Sequence, residues 1–226
     1  MKPTVLLFDI DGTLIDTGGA GRRSMERAFE RVHQRKDACA GISFGGMTDP
    51  AILRAGLQAI GQEPSAAAIE ALLAAYVEAL AEELRAAQCR VHAGMVAALD
   101  AGHEKGCAVG LGTGNVREGA KLKLGRVGLF ERFSFGGFGC DHEVRSELIR
   151  KGAERGAEIL GVPLAECRVV VIGDTPKDVA AAKAIGAESI AVATGWFSVS
   201  DLEAAGATHT FADLTDPRAL GALLGG

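Results

Sequence analysis

The chain opens with an apolar run, Val5-Leu6-Leu7-Phe8, that stops at an acid, Asp9, and the same figure recurs further on. Cys107 to Gly112 is a second apolar run, closed by Thr113-Gly114-Asn115, and Arg168 to Gly173 leads through a third to Asp174. Short apolar runs without polar alternation are the pattern of strands buried on both faces of a parallel sheet. Phe133 to Gly139 reads as a further strand despite its glycines, and Ser189 to Ala193 and Thr208 to Phe211 as two more. Between these runs the period lengthens. From Ser65 onward Ile69, Leu72, Leu73, Tyr76, Val77, Leu80 and Leu84 recur at steps of three and four, with Glu70, Glu78, Glu82 and Glu83 on other faces, which is an amphipathic helix with one core-facing stripe. Gly94 to Lys105 reads as a helix ended by Gly106, and another begins at Arg145 and continues through Leu148, Ile149 and Ala153. Thr48-Asp49-Pro50 has the residues of a helix start. Strand alternating with helix predicts an α/β fold with a mostly parallel sheet covered on both faces, and ligands at the carboxyl ends of its strands. Residues 17–90 lack strand patterning and read as a small all-helical unit inserted after the first strand, leaving 1–16 and 91–226 as the core.

The ends of the apolar runs carry the candidate chemistry. In Asp9-Ile10-Asp11-Gly12-Thr13 two acids stand one residue apart, so on a strand they would point the same way. Carboxylates held that close repel and need a cation, a shared proton or a polar network to stay ionised; a hard divalent metal is the simplest answer. Thr113, at a strand end and before a helix, combines a hydroxyl with the free N–H groups of a helix start, which is an anion site as well as an ordinary cap. Asp174 is followed by Thr175-Pro176, a helix start, and by Asp178.

Composition narrows the possibilities. The 226 residues suit a core domain with a smaller insert, and 48% hydrophobic and 23% charged residues are ordinary for a globular protein. A net charge of −5 supplies no basic field for nucleic acid, so an anionic substrate must be attracted locally. The five cysteines are scattered without CxxC spacing, which points to a reducing, cytoplasmic setting with Cys107 and Cys167 as buried apolar residues. The first apolar run is too short for a signal-peptide core and no later one spans a bilayer, so no membrane association is expected.

Asp9-Ile10-Asp11-Gly12-Thr13 resembles the DxDGT motif of the haloacid dehalogenase superfamily, and Gly173-Asp174-Thr175-Pro176-Lys177-Asp178 resembles its GDTxxD motif. Thr113 matches the Ser/Thr that binds the phosphoryl group in that family, and the helical insert is placed like its C1-type cap. The resemblance covers essentially the whole chain. It implies a Rossmann-like core and a phosphatase of small phosphometabolites, such as phosphoglycolate or a sugar phosphate. Asp9 would be the nucleophile and Asp11 the general acid and base. Magnesium would be held by Asp9, a backbone carbonyl of Asp11 and Asp174, with Asp178 supporting them, and Thr113, the Gly114 N–H and Arg145 would bind the phosphoryl group. Arg145 stands where the family usually has a lysine. Lys151 and Lys177 are its rivals, but a helix carries Lys151 roughly 9 Å along its axis, away from the strand ends. The second acid of the first motif argues against a dehalogenase, and the insert offers only Lys36 for phosphonate chemistry; a sugar-phosphate mutase and a non-catalytic binding module are the other readings. Arg22 and Arg23, beside the Gly18-Gly19-Ala20-Gly21 neck, and the Met47-Thr48-Asp49 segment are candidate readers of the leaving group.

Overall fold

The computed structural model describes residues 2–225. In chain order, β1 (Thr4–Phe8) is followed by β2 (Ile15–Asp16), helices α1 (Ala20–His33), α2 (Asp49–Ala59) and α3 (Ala66–Ala86), and β3 (Arg90–Val91). Then come α4 (Met95–Glu104), β4 (Ala108–Gly112), α5 (Arg117–Gly125), β5 (Gly136–Gly137), α6 (Arg145–Leu160) and β6 (Arg168–Gly173). The chain closes with α7 (Pro176–Ala184), β7 (Glu188–Val192), α8 (Val199–Ala204), β8 (His209–Phe211) and α9 (Ala219–Leu224). The large sheet has the order β5-β4-β1-β6-β7-β8, and every pairing in it is parallel. This is the α/β, Rossmann-like fold expected of the alternating pattern.

Side-chain alternation divides the core into two layers. Leu6 and Phe8 of β1 face one side, with Val109, Leu111, Val170 and Ile172, where Met95 and Leu99 of α4 and Ala120 and Leu124 of α5 cover them. Val5 and Leu7 face the other side, against Leu148, Ile149, Ala153 and Ala157 of α6 and Ala181 and Ala182 of α7. Both faces are thus dry, which is why the strands could be uniformly apolar.

Helices α1 to α3 bury an apolar cluster of their own, centred on Phe29, Leu53, Leu57, Leu72 and Tyr76. The chain leaves and rejoins the sheet through β2 and β3, which pair antiparallel, Ile15 opposite Val91 and Asp16 opposite Arg90. This two-stranded neck is too short to show a period and was not anticipated. The strand expected over 133–139 shrinks to Gly136–Gly137. A Cβ on Gly137 would overlap the Leu148 carbonyl, so glycines here let α6 lie directly against the sheet edge, while Phe133, Phe135 and Phe138 fill the core around it.

Candidate active site

Three of the loops that follow parallel strands lie side by side, because β4 and β6 flank β1. Phe8 pairs with Leu111 on one side and Ile172 on the other, so Asp9 emerges between Thr113 and Asp174. The chain builds outward from β1 to both sides, and such a switch point leaves a crevice at the strand ends. Here it opens into a cavity of about 610 Å³ whose lining includes Asp9, Asp11, Gly114, Arg145 and Asp174.

β1 stops at Phe8, before either acid, so strand alternation does not set their directions as expected. Asp9 is buried, its carboxylate 2.9 Å from Nη2 of Arg145. Burial raises its pKa to about 6; Arg145 works against that rise, while Asp178 and Asp11 add to it. Asp11 turns elsewhere: its Oδ2 accepts from Nζ of Lys123 at 2.6 Å and from Nδ2 of Asn115 at 2.8 Å. Between the two acids the chain must turn sharply. Gly12 has φ +78°, and a Cβ there would overlap the Asp174 carboxylate, so this position requires glycine twice over. Thr194 Oγ1 donates to the Gly12 carbonyl at 2.6 Å and fixes the turn.

Asp174 is buried at the end of β6 and accepts from Thr13 Oγ1 at 3.1 Å. Burial, with Asp178 and Asp9 close by, raises its pKa well above the usual carboxylate range. Asp178 sits at the third residue of α7, in a reciprocal capping box with Thr175: its Oδ2 accepts from the Thr175 N–H at 3.1 Å and hydroxyl at 2.7 Å. Its Oδ1 accepts from Nε and Nη2 of Arg145, at 2.9 and 2.6 Å. One guanidinium therefore bridges Asp9 and Asp178. Burial opposes its charge, but Asp178 and Asp9 more than offset that and hold its pKa above the ordinary arginine value.

Asp9, Asp174 and Asp178 each place a carboxylate oxygen within 4.8 Å of the others. This all-oxygen, buried, mutually repelling set suits a hard divalent cation, since it has more negative charge than Arg145 balances. The oxygens of Asp178 are already taken up by Thr175 and Arg145, which leaves Asp9 and Asp174 as the carboxylates facing such an ion.

On the other side of Asp9, Thr113 is buried and its Oγ1 accepts from Asn115 Nδ2 at 2.8 Å and from the Asn115 N–H at 3.3 Å. Lys151 points away, paired with Glu154 on the exposed face of α6, and Lys177 lies under Gly46 rather than at the carboxylates. Lys123 is the site residue the sequence reading missed. It belongs to α5, between apolar positions Ala120 and Leu124, and its ammonium is buried.

The α1–α3 unit closes over these groups. The Asp49 N–H donates to the Gly114 carbonyl at 2.8 Å, and Asp49 Oδ2 accepts from the Val116 N–H at 2.8 Å. A Cβ on Gly114 would overlap the Met47 carbonyl, so Gly114 admits this close seat. Thr48 Oγ1 donates to the Glu143 carbonyl, and Arg54 pairs with the Glu143 carboxylate at 2.9 Å. Burial pushes Asp49 up to about 7, with Lys123 and the Val116 N–H pulling the other way. Arg22 lines the cavity, stacked 4.0 Å above Phe44 and donating to the Ile42 carbonyl at 2.6 Å. Arg23 is instead spent on Glu83, at 2.8 Å, and does not line the cavity.

The family model for haloacid dehalogenase-like hydrolases matches residues 3–186 of the sequence, a span that includes the loops of both Asp9 and Asp174. The chain belongs to that family. No curated protein matches the sequence. Among solved structures, this haloacid dehalogenase-like hydrolase is similar to a hydrolase from Pseudomonas syringae, at 23% identity and TM-score 0.71 over 94% of this chain and 95% of that one. It is also similar to CbbY from Rhodobacter sphaeroides in complex with phosphate, at 17% identity and TM-score 0.72 over 96% of each chain. A predicted phosphoglycolate phosphatase from Haemophilus somnus 129pt aligns at 15% identity and TM-score 0.67, over 96% of each chain. Among the described residues no helix is long and apolar enough to cross a membrane.

Proposed function

We propose that this hydrolase is a magnesium-dependent phosphatase of small phosphorylated metabolites, working through a phosphorylated Asp9. The observation that carries the reading is the setting of Asp9. It is a buried carboxylate at the end of the central strand, 2.9 Å from a fixed guanidinium, flanked by Thr113 and Asp174 at the floor of a cavity. Similarity to a phosphate-bound structure and to a predicted phosphoglycolate phosphatase supports a phosphomonoester as substrate.

In the first step an oxygen of Asp9 attacks phosphorus, and the ester oxygen leaves with a proton from Asp11. In the second, Asp11 takes a proton from water as that water attacks phosphorus, releasing inorganic phosphate and restoring Asp9. Arg145 orients Asp9 and, with Nε and Nη2 engaged by Asp178 and Asp9, has Nη1 to offer a phosphoryl oxygen, which the Thr113 hydroxyl and the Gly114 N–H also bind. Asp9 and Asp174, with the Asp11 carbonyl, would hold Mg2+, and Asp178 keeps Arg145 in place. The ion, when bound, neutralises charge on the phosphoryl oxygens. The α1–α3 unit, residues 17–90, acts as a cap that excludes water and reads the leaving group with Arg22, Met47 and Asp49.

A phosphate-release screen over many phosphomonoesters, with and without Mg2+, tests the reading. Metal-dependent release from a subset of esters is expected. No release from any ester would refute it, and conversion of one organic phosphate into another without release would make the protein a mutase.

A further inference from the structure

Lys123 has no part in the reaction as written above, yet it occupies an unusual position. Its side chain is only 4% exposed, while the Asp11 it contacts is 43% exposed. A buried ammonium is costly unless it is paired and hydrogen-bonded. The partners that hold it are specific: Asp11 Oδ2 at 2.6 Å and Asn115 Oδ1 at 2.7 Å. Asn115 in turn donates to the same Asp11 oxygen and to Thr113 Oγ1, both at 2.8 Å. Among the described residues, both hydrogen bonds to the Asp11 carboxylate thus fall on Oδ2, and Oδ1 is left for the cavity. The lid over the ammonium comes from the inserted unit. A Cβ on Gly21, in α1, would lie 3.2 Å from Nζ, and Asp49, at the start of α2, docks on the first turn of the helix that carries Lys123.

From this geometry we infer that Lys123 is a positioning residue for Asp11. It pins one carboxylate oxygen so that the other faces the ester oxygen, and it is dried, and its grip strengthened, when α1 and α2 are seated. The inference rests on the phosphatase reading, with Asp11 as the proton donor.

Leaving groups separate this role from a general structural one. An alkoxide needs a proton to depart and a nitrophenolate does not, whereas kcat/KM reports only steps up to the first phosphoryl transfer. Lys123→Met keeps the length of the side chain and removes the charge. Its kcat/KM for an alkyl phosphate should fall by about 100-fold, the lower range of a general-acid contribution, and for p-nitrophenyl phosphate by less than about 10-fold. Affinity for inorganic phosphate with Mg2+, measured by titration calorimetry, should change by less than about 10-fold, because Lys123 reaches the phosphoryl-binding Thr113 only through Asn115. Lys123→Arg should recover part of the lost activity. Equal losses on both esters, or none on either, would overturn the inference. The alkyl phosphate is one that the wild type hydrolyses in the screen; if it releases phosphate from no ester there, the phosphatase reading fails, and the positioning role is decided by a crystal structure of Lys123→Met. There Asp11 should have left hydrogen-bonding distance of Asn115; an unmoved Asp11 side chain would refute the role. Should Lys123→Met not fold, Lys123→Gln, which keeps a donor of shorter reach, takes its place in both experiments.

Discussion

Replacing Arg145 by methionine removes the cation that contacts both Asp9 and Asp178, at 2.9 and 2.6 Å, and leaves a side chain of similar reach in a buried site. Removing one partner of a buried pair costs about 3–5 kcal/mol, because the remaining charge is neither solvated nor matched. Here three carboxylates, Asp9, Asp174 and Asp178, would face one another unbalanced, so the upper part of that range applies without metal. At about 2–4 °C per kcal/mol for a chain of this size, Arg145→Met should melt at least about 8 °C below the wild type at pH 7.5 in EDTA. The deficit should narrow at pH 5.5, where protons can settle on Asp9 and Asp174 instead. Turnover with Mg2+ should fall by about 100-fold or more, the scale for losing a preorganised charged donor at the reacting group. Lys151→Ala and Lys177→Ala, measured alongside by scanning calorimetry and phosphate release, should stay near the wild type, since neither lysine contacts the carboxylates. An Arg145→Met protein that melts and turns over like the wild type, while Lys177→Ala loses activity, would refute the assignment.

The raised carboxylates predict how stability depends on pH. Asp9 at about 6, Asp49 at about 7 and Asp174, also raised, bind protons more readily folded than unfolded. Their contribution is full below about pH 4 and is lost as pH rises through 6 and 7. In EDTA the Tm should therefore decline from pH 5.5 to pH 8, and excess Mg2+ should raise it most at pH 8; a metal-free Tm that climbs over this range would contradict the linkage. Gly12→Ala should be destabilised by about 1–2 kcal/mol, from its positive φ alone, and should lose the Mg2+-induced rise in Tm as Asp174 is displaced. A Gly12→Ala protein with an unchanged Mg2+ response would show that the turn does not set Asp174. Gly114→Ala should unseat α2, seen as faster hydrogen exchange at the Asp49 amide, and unchanged exchange would count against the close docking.

The strand ends were legible because a parallel sheet leaves two strong marks in sequence, an uninterrupted apolar run and an abrupt polar stop. Asp9, Thr113 and Asp174 all lie at such stops, and the order β4-β1-β6 brings them together. Arg145 was readable from helix geometry, since a helix start faces the same side of the sheet as the strand ends. The two-residue pairing of Ile15–Asp16 with Arg90–Val91 has no period to detect, and the strand read over 133–139 was right in place but too long, because only Gly136 and Gly137 pair with β4. Lys123 was hidden among the charges of Arg117, Glu118, Lys121 and Arg126, yet a signal existed. Val116, Ala120, Lys123, Leu124 and Val127 share one helical stripe, and a lysine inside an apolar stripe must find a buried partner. The different partners of Asp9 and Asp11 could not be read from spacing, because β1 ends at Phe8, before Asp9 and three residues before Asp11, so alternation reaches neither.

Whether Asp9 becomes phosphorylated is the most direct question to put to the protein. Wild-type enzyme mixed with a phosphomonoester that it hydrolyses and Mg2+, quenched in acid within the first turnover, should carry the mass of one phosphoryl group on the peptide containing Asp9. Asp9→Asn treated in the same way should carry none and release no phosphate. A wild-type enzyme that turns over without any phosphorylated peptide, together with an Asp9→Asn variant that retains its activity, would contradict the account at its centre.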